Sequence, residues 1–71
     1  MTWYAFVREI PDGFEVIVRK HYHKAYYADS KHDRFMHAYD RAVEIGSGAE
    51  PNVSGAPVEI AYGELRPTKE G

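Results

Sequence analysis

His21 and His23 stand two residues apart, so on an extended chain both imidazoles point the same way and offer two nitrogens to one zinc ion at about 2.0 to 2.1 Å. His32 and His37 are five apart, about 140° around a helix, and cannot share a metal; His37 pairs instead with Asp33 at i, i+4. Tyr22, Tyr26, Tyr27 and Tyr39 accompany Arg19, Lys20 and Lys24. Planar faces beside cations suit a single-stranded nucleic acid, the rings stacking on bases and the cations neutralising phosphates. Ser30 is placed to cap a helix, and Ser47 and Ser54 lie in a glycine- and proline-rich segment that cannot hold a nucleophile within reach of a base. The chain has no cysteine, which removes thiol nucleophiles, thiolate zinc clusters and disulfides together. No glycine loop opens a helix as a phosphate cradle, so neither a catalytic residue nor a cofactor is expected.

The charge around these residues is uneven. The net charge is −2, but residues 19–41 hold six basic against three acidic side chains, +3, together with all four histidines, and the remainder holds three against eight, −5. A protein that grips phosphates regardless of sequence is normally basic throughout, because each neutralised phosphate releases counterions. Here the basic footprint is local. A composition of 44% hydrophobic and 14% aromatic residues is that of a folded chain. Its 71 residues have room for one domain, which buries roughly 60% of the surface the unfolded chain exposes. No basic segment leads into an apolar run, and no stretch of about 18 apolar residues occurs. Neither a secretion signal nor a membrane partner is expected, and a cytoplasmic setting fits.

The side chains must be held by elements, and these are readable. Residues 3–10 and 14–20 are rich in aromatic and β-branched types on either side of Pro11-Asp12-Gly13, which predicts a β-hairpin with Ile10 and Phe14 flanking the loop. Pairing outward from Ile10 and Phe14 puts Tyr4, Phe6, Arg8, Ile10, Phe14, Val16 and Val18 on a core face. Trp3, Ala5, Val7, Glu9, Glu15, Ile17, Arg19 and His21 then form an outer face. A third strand is expected near residues 24–28, followed by a helix over about 31–45, opened by a capping box of Ser30 with Asp33 and stopped by Gly46. Phe35, Met36, Ala38, Tyr39, Ala42, Val43 and Ile45 share one half of its wheel. Residues 46–57 hold three glycines and two prolines and read as a flexible connector. Val58, Ile60 and Tyr62 alternate along a last strand over 58–65, and residues 66–71 read as a disordered tail. That strand has three options: a place beside the hairpin, a path across the Val7 and Ile17 face, or pairing with a second chain.

The fold class is therefore α+β, an antiparallel sheet of hairpin, third strand and C-terminal strand packed on one helix, in a single domain over residues 1–65. The succession of Asp12-Gly13-Phe14, a basic turn, Tyr26 and Tyr27, Ser30 to Asp33, and Ala38 with Ala42 resembles the three-strands-plus-helix domains at the N-termini of phage-type integrases, over about residues 3–46. That resemblance implies a sheet entering a DNA groove, with Arg8, Arg19, Lys20 and Lys24 nominated by position. Glu9 and Glu15 on the would-be DNA face, and everything from residue 47 onward, depart from the pattern. From the residues themselves the leading expectation is a small non-enzymatic interaction protein of the accessory kind that phages and mobile elements encode. It would bind a protein partner or a second copy of itself through Trp3, Val7, Ile17 and Arg19, or through the last strand. A nucleic-acid-binding sheet using Arg8, Arg19, Lys20, Lys24 and Tyr26 is the second reading, and zinc at His21 and His23 the third.

Overall fold

The computed structural model describes residues 3–53, 55–60 and, for the backbone, 66–67. The chain forms β1 (Trp3–Ile10), β2 (Gly13–Lys20), β3 (Tyr26–His32) and α1 (Phe35–Gly46), with a two-residue β4 at Arg66–Pro67. β1, β2 and β3 make one open antiparallel sheet in the order β3-β2-β1, β4 adds to the outer edge of β1, and α1 packs across one face. This is the expected α+β layout.

The hairpin turns one residue earlier than its sequence suggests. Ile10 faces Gly13, not Phe14, across a loop of Pro11 and Asp12, and the register continues as Arg8 with Glu15, Val7 with Val16 and Phe6 with Ile17. A shift of one residue moves a whole strand's side chains to the other face. β2 keeps the expected sides, but β1 is inverted: Ala5 and Val7 point to the helix, while Tyr4, Phe6 and Arg8 point away. Gly13 is the cause. Its φ of +150° is open to glycine, and a Cβ there would run into the His32 carbonyl oxygen at the end of β3.

The core is small and tightly built. Ala5 and Val7 of β1, Val16 and Val18 of β2, and Ala38, Ala42 and Ile45 of α1 are buried together, with Trp3, Phe14 and Tyr27 packed at the margin. Ala38, Ala42 and Ile45 recur at helical spacing, and the two alanines let the helix axis approach the valines closely.

β3 runs four residues further than expected, to His32, and α1 correspondingly starts at Phe35. The anticipated capping box does not form: Arg34 stands at the N-cap with an extended backbone and no side-chain hydrogen bond. At the other end Gly46 is helical and the stop comes at Gly48, whose φ is +119°. The Gly48 amide bonds to the Ile45 carbonyl and the Ala49 amide to the Glu44 carbonyl, the two closing bonds of a Schellman motif.

After the connector the chain returns to the sheet. The Val58 amide donates to the Tyr26 carbonyl at 2.8 Å as an isolated bridge, and Glu59 offers its carbonyl to Arg8 on the face away from α1. Arg66 and Pro67 pair with Val7 and Phe6. Of the strand expected over 58–65, residues 58–60 carry only that bridge and 61–65 lie outside the described residues, as does the tail beyond residue 67. Among the described residues no helix is long and apolar enough to cross a membrane.

Candidate functional site

The four residues expected to form one contact face do not share one. Val7 is buried in the core beneath α1 and Trp3 packs against the same core, while Ile17 and Arg19 lie on the opposite side of the sheet, Ile17 fully buried. The shorter hairpin loop is the reason, since it inverts β1 relative to β2. Arg8 also leaves its proposed group. It donates from Nε at 2.9 Å and from Nη2 at 2.8 Å to Oε1 of its cross-strand neighbour Glu15, and from Nη1 to the Glu59 carbonyl at 3.2 Å.

Arg19, Lys20 and Tyr26, by contrast, gather at the β2–β3 turn. Tyr4, Arg19 and Tyr26 form one row across β1, β2 and β3 on the face away from the helix. The guanidinium carbon of Arg19 lies 5.0 Å from the centre of the Tyr4 ring and 5.8 Å from that of Tyr26. Phe6 meets Tyr26 edge-on at 5.9 Å. On the helix side of the same end the Lys20 amine sits 5.5 Å over the Trp3 ring. Lys24 is exposed in the loop that follows. His21 and His23 occupy that loop and not a strand, which removes the alternation that would have aligned them. His21 Nδ1 is hydrogen-bonded to the Tyr4 hydroxyl, and among the described residues no group of three metal-ligating side chains gathers.

The best-connected polar group was missed by the sequence reading. Asp29 is the extra residue of a bulge in β3, since Ser30 faces Val16 and Ala28 faces Ile17. Its carboxylate is fully buried and takes a fork from Arg41, Nε to Oδ2 at 2.9 Å and Nη2 to Oδ1 at 3.1 Å. It also accepts from the Asn52 amide at 2.7 Å and the Ser30 hydroxyl at 2.8 Å. Burial by itself pushes the Asp29 carboxyl up, but the bonds from Arg41, Asn52 and Ser30 and the Arg41 charge outweigh it and hold the group below the usual carboxylate range. Arg41 Nη2 adds the Glu50 carbonyl at 3.1 Å, so β3, α1 and the connector meet here. Ser30 also lies 2.8 Å from Nε2 of His32, a contact that looks like a nucleophile beside its base. The direction is wrong for that chemistry. The single hydroxyl proton goes to Asp29, so His32 donates to the serine oxygen and cannot withdraw a proton from it.

A third region is apolar. On the helix, Phe35, Tyr39 and Val43 follow each other at four-residue intervals with Met36 next to Phe35, and Phe35 faces a cleft shared with β1. Phe35, Met36 and Val43 are 39%, 62% and 41% exposed. Phe35 meets Phe14 edge-on at 5.6 Å and Tyr39 at a 32° tilt at 5.9 Å, and a cleft of about 250 Å³ opens between Phe35, Phe14, Val7 and Glu9. The sequence placed these side chains on the core half of the wheel. The helix is rotated so that its alanines face the sheet, which leaves the large residues at the margin.

No family model, curated protein or solved structure matches the chain.

Proposed function

We propose that this chain is a non-enzymatic interaction module that binds a protein partner through the exposed apolar side chains of α1. The observation that carries this reading is the exposure of Phe35, Met36 and Val43 on the helix, with Phe35 at the edge of the cleft lined by Val7 and Phe14. Large apolar side chains grouped on one exposed helix are costly to leave wet, and aromatic residues with methionine are the types enriched where proteins meet. The charges at the rim indicate the partner's chemistry. Glu9 lines the cleft and has no ion pair among the described residues, and Asp40 is exposed next to Met36 and Val43 on the helix. A second copy of this chain, docked helix to helix across a twofold axis at Tyr39 and Asp40, would oppose the two Asp40 carboxylates. A partner with an aliphatic or aromatic anchor flanked by lysine or arginine fits both features.

Selection of peptides from a random library against the full chain tests this. The expected peptides carry such an anchor with basic neighbours, and they lose affinity at least about tenfold on Met36→Lys or Val43→Lys, the loss of one interface anchor. Acidic consensus peptides, or binding indifferent to both substitutions, would remove the proposal. Light scattering should return a monomer; a dimer dissociated by Val43→Lys would transfer the surface to self-association.

A further inference from the structure

We propose that the β2–β3 turn end of the sheet is a second binding site, for single-stranded nucleic acid, in which Arg19 holds a phosphate and Tyr22 stacks on a base. Two arginines of the fold, Arg8 and Arg41, direct their guanidinium groups at carboxylates. Arg19 does not. It gives one N–H to the His23 carbonyl at 2.9 Å and lies between the Tyr4 and Tyr26 rings, which fix the plane of the guanidinium. Its remaining donors meet no acceptor among the described residues, and a planar fork held in this way is pre-organised for phosphate oxygens. Lys20 and Lys24 stand in the same segment, and no aspartate or glutamate occurs from residue 16 to residue 28.

Tyr22 is the independent observation. Its φ of 75° is left-handed, a conformation that glycine adopts freely and that a residue with a Cβ adopts at a cost. The side chain gains little from the fold in return: it is 92% exposed, and its ring contact is an edge-on one with His21 at 4.0 Å. A strained backbone carrying an exposed aromatic ring is unfavourable for folding and useful for contact. One face of the ring stays open for a base. The path of the strand follows from charge. Glu50 lines the cleft beside Trp3 on the helix side, so a polyanion is directed to the opposite side, over Arg19 and Tyr22.

Fluorescence anisotropy of a labelled twelve-nucleotide oligothymidine, titrated with the full chain, is the test. Two phosphate contacts, from Arg19 and Lys24, predict a slope of log affinity against log salt of about −1.4, since Lys20 lies on the helix side over Trp3. Tyr22→Gly is expected to weaken binding between about fivefold and about a hundredfold, the range for losing one stacked base. Its melting temperature should stay the same or rise, because glycine relieves the backbone. Arg19→Gln should weaken binding and flatten the slope by about 0.7. A duplex of equal length should bind less well, since its paired bases cannot reach Tyr22, and Met36→Gln should change nothing. Absence of salt-dependent binding, wild-type affinity in Tyr22→Gly, or equal affinity for the duplex would overturn the proposal. Competition by a polyglutamate peptide at equal strength would overturn it too, by assigning the basic end to an acidic protein.

Discussion

A carboxylate without solvent contact needs partners for its oxygens, and beyond the neighbouring Ser30 hydroxyl Asp29 finds them in elements distant along the chain: Arg41 on α1 and Asn52 in the connector. Nothing local announces this. An Asp-Ser pair ahead of a helix is a good capping signal, and only Arg41, twelve residues on, decides that the pair serves a bulge instead. Asp29→Asn should cost about 3 kcal/mol, because it leaves the Arg41 fork facing a neutral amide, and urea unfolding would measure it. The pH dependence has a definite sign. A carboxyl held below its unfolded value, about 3.9, stabilises the fold fully above that value. The contribution is then lost as pH falls through the lower folded value. Acid unfolding should therefore begin below about pH 4 in the natural protein and be shallower in Asp29→Asn; identical acid profiles would show that the carboxylate contributes nothing. Gly13 makes a simpler claim. Gly13→Ala sets a methyl group against the His32 carbonyl at a φ that alanine avoids, and should destabilise by at least about 2 kcal/mol in the same unfolding assay.

Elements were more legible than their edges. The existence of β1, β2, a third strand and one helix follows from β-branched and aromatic runs, Pro11-Asp12-Gly13 and a 3.6-residue period. The pairing of β1 with β2 was not legible. Gly13 accommodates a loop of two residues or of three, and both registers place apolar residues on both faces, so alternation could not choose between them. The contact set of Trp3, Val7, Ile17 and Arg19 failed through that single residue. Arg19 and Tyr26 share a face because they lie on β2 and β3, where the shift has no effect, while Lys20 turns to the helix side over Trp3. The helix start offers a direct check on its capping. Arg34 has the extended backbone of an N-cap but no acceptor for the free amides of the first turn, and no acidic residue stands there to answer the helix dipole. Arg34→Ser should supply that acceptor and stabilise by about 1 kcal/mol, raising the melting temperature by roughly 4–8 °C in a domain of this size. A lowered melting temperature would mean that Arg34 has a structural task not visible in its contacts.

At the scale of the whole molecule, one small sheet has to bury side chains on both faces, and the one helix among the described residues covers one of them. α1 covers Val7, Val16 and Val18, yet Ile17 on the far side is as completely buried as they are, and Phe6 beside it is half-buried. The described segment on that side begins where Val58 bonds to the edge of β3 and Glu59 meets Arg8, and the chain is next described beside β1 at Arg66 and Pro67. Of the strand whose placement the sequence left open, these contacts concern residue 58, beside β3, and residue 59, beside Arg8, with Arg66 and Pro67 following beside β1. Sequence could not choose its placement, because a glycine- and proline-rich connector specifies reach and not direction. The described residues Val58 and Glu59 therefore serve the far side of the sheet through backbone bonds to Tyr26 and Arg8, and the bond of Asn52 to Asp29 anchors the connector that leads to them. A chain ending at Pro57 should keep α1 on its face of the sheet while exposing Ile17 and Phe6. Uncovering one large apolar side chain costs about 1.5–3 kcal/mol, a large fraction of the few kcal/mol that hold a domain of this length. The truncated chain should melt at least about 6 °C lower and associate with itself through the bared face, which light scattering and dye binding to apolar surface would register. Ile17→Ser in the full chain should lower stability without uncovering the rest of that face, and so should reproduce the loss of stability without the association. A truncated chain as stable and as monomeric as the full one would mean that Ile17 and Phe6 are covered from within residues 3–57, and the role given to the C-terminal segment would pass to the connector.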